Sequence, residues 1–124
     1  MVRRLLATDL DRTLLPNGRA PAEPDALARF REWAAQRGPV ELVYVTGRHR
    51  SLAREAFAAY GPPEPDWLIC NVGTEIYPRQ AQAPLAYWTT TLASGFQAEA
   101  IRDWAQTHLE DARLQEPEKQ SPLK

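Results

Sequence analysis

The chain has 124 residues, which is room for one domain. Hydrophobic residues make up 44% and charged residues 25%, the balance of a globular protein rather than a disordered or fibrous one. A formal net charge of −1 gives no electrostatic ground for nucleic acid or an anionic membrane as a partner. Cys70 is the only cysteine, so an internal disulfide is excluded and a reducing, cytoplasmic setting is expected. Arg3 and Arg4 precede a short apolar run that Asp9 interrupts, too short for a secretory leader.

Leu5 to Thr8 reads as a short buried parallel strand, with a start as early as Val2. Asp9 to Arg19 is a loop, with Pro16, Asn17 and Gly18 as turn residues. From Asp25, Ala26, Leu27, Phe30, Trp33 and Ala34 recur at helical spacing until Gly38 and Pro39 stop them. Val40 to Val45 is a β-branched second strand ending at Thr46 and Gly47. Ser51 is placed to cap a second helix running through Ala59, closed by Gly61, Pro62 and Pro63. Trp67 to Cys70 is a third strand.

That alternation predicts an α/β fold: a doubly wound, parallel, Rossmann-like sheet with right-handed crossovers. Thr74 to Tyr77 and Leu85 to Thr89 are expected to pair as a hairpin across a polar loop. Gly95 to Leu109 is expected as an amphipathic helix that buries Phe96, Ile101, Trp104 and Leu109. Trp33, Trp67, Trp88 and Trp104 are read as core residues. Three parallel strands, a hairpin and a helix make an incomplete enzyme sheet, so residues 1–115 are expected to be the N-terminal part of a larger core.

Ligands of open α/β sheets bind at the carboxyl ends of the strands. Asp9, Asp11 and Thr13 follow the first strand, Thr46 and Gly47 the second, and Asn71 the third. Phosphoryl transfer needs a nucleophile, a cation and donors for the non-bridging oxygens. Asp9 can supply a carboxylate nucleophile and a hard oxygen ligand for Mg²⁺. Asp11, two residues on, can act as general acid and then base. The Thr46 hydroxyl and the Gly47 amide can hold phosphate.

Leu6-Ala7-Thr8-Asp9-Leu10-Asp11-Arg12-Thr13-Leu14 resembles the Asp-x-Asp-x-Thr first motif of the haloacid dehalogenase superfamily, and Val43-Tyr44-Val45-Thr46-Gly47-Arg48 resembles its second. The resemblance implies that Asp9 is the nucleophile and Asp11 the acid/base. Mg²⁺ would sit on the Asp9 carboxylate and the Asp11 main-chain carbonyl. Leu10, Thr13, Thr46, Gly47 and Asn71 would serve the phosphate and substrate, with Thr13 positioning the loop. Asn71-Val72-Gly73-Thr74-Glu75-Ile76-Tyr77, after Pro65-Asp66-Trp67, is similar to the sucrose-phosphate phosphatase branch. Glu118 to Lys124 resembles that branch's approach to a cap domain, so 116–124 reads as a polar lead-in to a cap that is absent here.

The resemblance therefore implies hydrolysis of a sugar phosphate such as sucrose 6-phosphate through an aspartyl-phosphate. Arg12 departs from it, standing where related enzymes commonly carry glycine or asparagine. The family's later lysine and later acidic loop have no counterpart, so this stretch carries half an active site and little turnover of its own is expected. Other readings stay open: a capped relative such as a mannosylglycerate-phosphate phosphatase or a phosphomannomutase, a non-catalytic module, or a response-regulator receiver. Arg48 and His49 read as solvent-facing residues at a helix start, Cys70 as a small buried apolar residue, and Glu75 as either a sugar contact or an exposed hairpin position.

Overall fold

The structure, a computed structural model, describes residues 3–124. Its strands are β1 (Arg4–Asp9), β2 (Val40–Val45), β3 (Trp67–Cys70) and β4 (Glu75–Pro78). Its helices are α1 (Ala26–Gln36), α2 (Arg50–Tyr60), α3 (Ala86–Ala93) and α4 (Ala98–His108), followed by a 3₁₀ turn at Pro117–Lys119. The expected start of β1 at Val2 lies outside the described residues.

One sheet has the order β1-β2-β3-β4. β1 pairs with β2, and β2 with β3, in parallel; β4 joins β3 antiparallel. Each parallel step crosses through a helix, as the sequence pattern demands. The register Leu6↔Leu42 and Thr8↔Tyr44↔Leu68 puts alternate residues on one face. There Leu42, Tyr44, Leu68, Cys70 and Tyr77 form the core with Ala53 and Ala56 of α2, and Leu6, Phe30, Phe57 and Tyr60 pack against it. Each fully buried side chain of the size of Leu42 stabilises the fold by roughly 1.5–3 kcal/mol. The opposite face is less covered: Val43 is buried, but Leu5 and Val45 are exposed.

The second half of the expected hairpin is wrong. Leu85 to Thr89 does not pair with Thr74 to Tyr77; it enters α3, and the antiparallel partner of β4 is β3, reached through a tight turn at residues 71–74. The alternating Tyr87 and Thr89 mimic a strand. In the helix the threonines offset their poor propensity by donating backward, Thr89 Oγ1 to the Ala86 carbonyl (3.0 Å) and Thr91 Oγ1 to Tyr87 (2.8 Å). The helix-capping residue of α2 is His49, whose ring accepts from the Leu52 N–H, rather than Ser51.

The apolar stripe of α4 does not reach the core. Ile101, Trp104 and Leu109 are half exposed, and Trp104 stacks on His108 of its own helix with ring centroids 4.6 Å apart. Trp33 is partly exposed too and stacks on Phe30, whereas Trp88 is half buried and donates to the Gly73 carbonyl at 2.9 Å. Among the described residues no helix is long and apolar enough to cross a membrane.

Candidate active site

The rim at the carboxyl ends of β1, β2 and β3 gathers the chemistry. Leu10 anchors its first loop: the side chain is fully buried, and the carbonyl accepts from the N–H groups of Leu15 (2.8 Å) and Thr13 (3.3 Å). With its side chain in the core, Leu10 has only its backbone to offer a ligand. Those bonds turn the chain so that Asp9 and Asp11 flank the loop and Thr13 comes back over Asp9. Thr13 Oγ1 donates to Asp9 Oδ2 at 3.0 Å. The other Asp9 oxygen accepts no hydrogen bond among the described residues, and Asp9 is exposed.

Asp11 is held much more firmly. Arg48 Nε donates to its Oδ2 at 2.9 Å and Nη2 to its Oδ1 at 2.6 Å, while Asn17 Nδ2 donates to Oδ1 at 2.6 Å. The Arg48 hydrogen bonds hold the Asp11 carboxyl below the usual carboxylate range, against a smaller opposing push from burial, with Asn17 helping. Reciprocally, the Asp11 carboxylate raises the Arg48 guanidinium. Asn17 also closes the loop on itself, its Oδ1 accepting from the Arg12 N–H at 2.8 Å.

Arg48 ties the rim together. Its backbone N–H donates to Thr46 Oγ1 (3.1 Å), its carbonyl accepts from the Asn71 N–H (2.6 Å), and its Nη1 reaches the Leu52 carbonyl on α2 (3.2 Å). One residue thus touches the loops after all three parallel strands. The reading of Arg48 as a solvent-facing helix start missed this; its place directly after Thr46-Gly47, opposite a carboxylate loop, was the available signal. Asn17 was read only as a turn residue, and nothing local distinguishes it.

Thr46 is buried, its N–H donating to Ile69 (2.9 Å). Because Thr46 Oγ1 accepts from Arg48, its own hydrogen is left to point elsewhere. Gly47 is exposed, and a Cβ there would meet only Val72 Cγ1, at 3.7 Å. Asn71 is buried, only 4% exposed, and its Oδ1 has no hydrogen-bond partner among the described residues. It begins a turn of three residues with positive φ: Asn71 at 53°, Val72 at 55° and Gly73 at 86°. Only glycine adopts that region freely, and for a β-branched valine it is a strained state.

Cys70 and Glu75 lie just below this turn. Cys70 is fully buried, and burial, with the Glu75 carboxylate at 3.7 Å adding to it, pushes the thiol up to about 12. Such a thiol is no nucleophile. Glu75 accepts from the Tyr77 hydroxyl at 3.1 Å, which makes it a half-buried structural acceptor of β4. Among the described residues no group of three or more His, Cys, Asp and Glu converges.

A family model described as Sucrose-6F-phosphate phosphohydrolase matches residues 2–124. The chain belongs to this family. A haloacid dehalogenase-like hydrolase of Nitrosococcus oceani is 40% identical, with 97% of this chain aligned to 33% of that protein. The mannosylfructose-phosphate phosphatase of Agrobacterium fabrum is 30% identical, covering 98% of this chain and 47% of its own. The sucrose-phosphatase of Synechocystis sp. PCC6803, solved with sucrose and phosphate, superposes with a TM-score of 0.79 at 31% identity, over 98% of this chain and 47% of that one. A Bacillus subtilis haloacid dehalogenase-like hydrolase, 18% identical with a TM-score of 0.61, shares the fold. The chain thus spans a third to a half of the length of these relatives. The four-stranded, mostly parallel sheet and its helices match the haloacid dehalogenase-like fold of these structures.

Proposed function

We propose that the chain is the nucleophile-bearing part of a Mg²⁺-dependent phosphatase that hydrolyses a sugar phosphate of the sucrose 6-phosphate kind through an aspartyl-phosphate on Asp9. The observation that carries this reading is the pairing of a free Asp9 oxygen with an oriented Asp11 on one strand-end loop. Thr13 takes up one Asp9 oxygen and leaves the other open, while Arg48 and Asn17 fix Asp11 two residues away. Relatives named for sucrose-phosphate and mannosylfructose-phosphate hydrolysis support the substrate class.

The donor set fits magnesium. The Asp9 carboxylate and the Asp11 carbonyl are hard oxygens, and neither the free Asp9 oxygen nor that carbonyl is engaged in a hydrogen bond among the described residues. Mg²⁺ commonly takes one or two carboxylates and keeps several waters, so two protein oxygens are a sufficient start. When bound, the ion supplies positive charge against the phosphoryl oxygens.

The residues of the chain do the rest. Asp9 attacks phosphorus as the bond to the sugar oxygen breaks, and Asp11 delivers a proton to that oxygen. Water then attacks the phosphoryl group, Asp11 takes the proton, and Asp9 is released. Thr46, already accepting from Arg48, turns its hydrogen to a non-bridging oxygen beside the Gly47 N–H. The Arg48 fork favours the charged Asp11 suited to the second step. An incoming phosphate dianion competes for that guanidinium, which loosens the fork for the first step.

Beryllofluoride, which mimics an aspartyl-phosphate, tests this without requiring turnover. With Mg²⁺ present, ¹⁹F NMR is expected to show a protein-bound fluoride species on the chain and none on Asp9→Asn. A silent wild type, or an Asp9→Asn variant that still traps it, overturns the nucleophile assignment. In a protein that also carries the family's later lysine and acidic loop, phosphate release from sucrose 6-phosphate against mannose 6-phosphate and mannosylglycerate phosphate then ranks the sugars.

A further inference from the structure

Asn17 holds the nucleophile loop closed from within. Its own N–H donates to the carbonyl of the buried Leu15 at 2.9 Å, and its Oδ1 accepts from the Arg12 N–H at 2.8 Å. The second bond ends on a residue whose φ is 61°, a left-handed state that an arginine leaves unless it is held. The side-chain amide has one workable orientation. Turned over, its oxygen would face the Asp11 carboxylate and its NH₂ group would face the Arg12 N–H. Nδ2 is therefore committed to Asp11 Oδ1, at 2.6 Å.

Donors are unequally shared between the two Asp11 oxygens. Oδ1 takes Asn17 Nδ2 and Arg48 Nη2, each at 2.6 Å, with Arg48 Nε at 3.1 Å beside them. Oδ2 takes only Arg48 Nε, at 2.9 Å, among the described residues. Two close donors fill the lone pairs of Oδ1, so a proton has no room there. Oδ2 keeps a lone pair open. The two anchors also differ in kind. Asn17 belongs to the same short loop as Asp11, whereas Arg48 follows the neighbouring strand and carries the group that an incoming phosphate draws on. When that guanidinium moves away, Oδ2 loses its one donor, while Oδ1 keeps the Asn17 amide.

We propose that Asn17 is the positioning residue of the acid/base: it pins Oδ1 of Asp11 and so assigns each proton transfer to Oδ2. The inference rests on the phosphatase reading and adds to it the atom that acts and the residue that aims it. In the first half-reaction an Asp9 oxygen bonds to phosphorus as the bond to the sugar oxygen breaks, and the proton on Oδ2 passes to that oxygen. In the second, water bonds to phosphorus as the bond to Asp9 breaks, and the water proton passes to Oδ2. A carboxyl held by the guanidinium alone would be free to turn as soon as phosphate drew the guanidinium off. Asn17 keeps it aimed through both halves.

Asn17→Asp separates the two side-chain bonds, since its carboxylate still accepts from the Arg12 N–H but has no donor for Asp11. The readout is kcat/KM for 4-nitrophenyl phosphate divided by that for sucrose 6-phosphate, in a protein that also carries the family's later lysine and acidic loop. This quantity ends at the loss of the leaving group, and nitrophenolate leaves without a proton whereas a sugar alkoxide does not. The ratio is expected to rise about tenfold or more in Asn17→Asp and in Asn17→Ala, as loss of part of a general-acid contribution. A general weakening of phosphate binding, including repulsion from the new carboxylate, cancels in the ratio. On the chain itself, beryllofluoride with Mg²⁺ should move the Arg48 Nε signal in ¹⁵N NMR and leave the Asn17 Nδ2 signal in place, and Asn17→Asp should still trap the fluoride species. A ratio unchanged in both variants, an Asn17 signal that moves with that of Arg48, or loss of trapping in Asn17→Asp overturns the positioning role and leaves the phosphatase reading standing. A wild type that releases phosphate from neither ester overturns the phosphatase reading and the inference with it.

Discussion

Arg48 grips both carboxylate oxygens of Asp11 across 37 residues of sequence, with Nη2 at 2.6 Å from Oδ1 and Nε at 2.9 Å from Oδ2. A lysine offers one point charge in place of this fork. In Arg48→Lys the Asp11 carboxyl is expected to titrate at higher pH than in wild type, read from its side-chain ¹³C shift. The pair is partly exposed, so the loss in unfolding free energy should stay near 0.5–1 kcal/mol. An unmoved titration would show that the fork does not set the state of Asp11.

The turn after β3 carries three positive φ angles in succession, and Val72 at 55° is the residue least suited to its place. Val72→Asn is expected to stabilise the fold by roughly 0.5–1 kcal/mol, since asparagine tolerates this region. Gly73→Ala, at 86°, should destabilise it by about 1 kcal/mol or more. Urea unfolding of both variants measures the two effects, and equal signs would contradict the turn geometry.

Asp66 sets an acid limit on stability. Burial pushes its carboxyl up, but the Leu42 N–H and Arg37, with Arg79 adding to them, more than offset this and leave it below the usual range. A depressed folded-state value means stability present above the unfolded carboxylate range and lost as pH falls through the folded one. Asp66→Asn is therefore expected to cost about 1–3 kcal/mol at neutral pH, with the difference from wild type shrinking at low pH. A pH-independent difference in urea unfolding would refute this.

Cys70 is a convenient reporter of global unfolding. Fully buried, with its thiol pushed up to about 12, it should resist a thiol reagent in native buffer and react at once in denaturant. Rapid labelling of the native chain would mean that the β3–β4 region opens readily.

Strand and helix order up to Cys70 was legible because the local signals agreed with the tertiary demand: β-branched runs flanked by glycine and proline, and apolar residues at helical spacing. The rim residues were legible for the same reason, since strand ends sort Asp9, Thr46 and Asn71 onto one side. Leu85 to Thr89 was not, because threonine in an alternating pattern reads as strand until its hydroxyls find backbone carbonyls one turn away. The stripe of α4 misled in another way. Periodicity marks a face that favours burial, but no local signal tells whether anything is there to cover Ile101 and Trp104. Arg48 shows the same limit from the polar side, as its partner lies 37 residues away.

β1 pairs with β2 along its whole length and with no other strand among the described residues. The candidate nucleophile therefore stands at the tip of a cantilever, supported along one side only. Its position relative to Thr46 is set by the β1–β2 ladder, through the pairing of Asp9 with Val45. Anything that engages the open side of β1 changes the stiffness of the arm that carries Asp9.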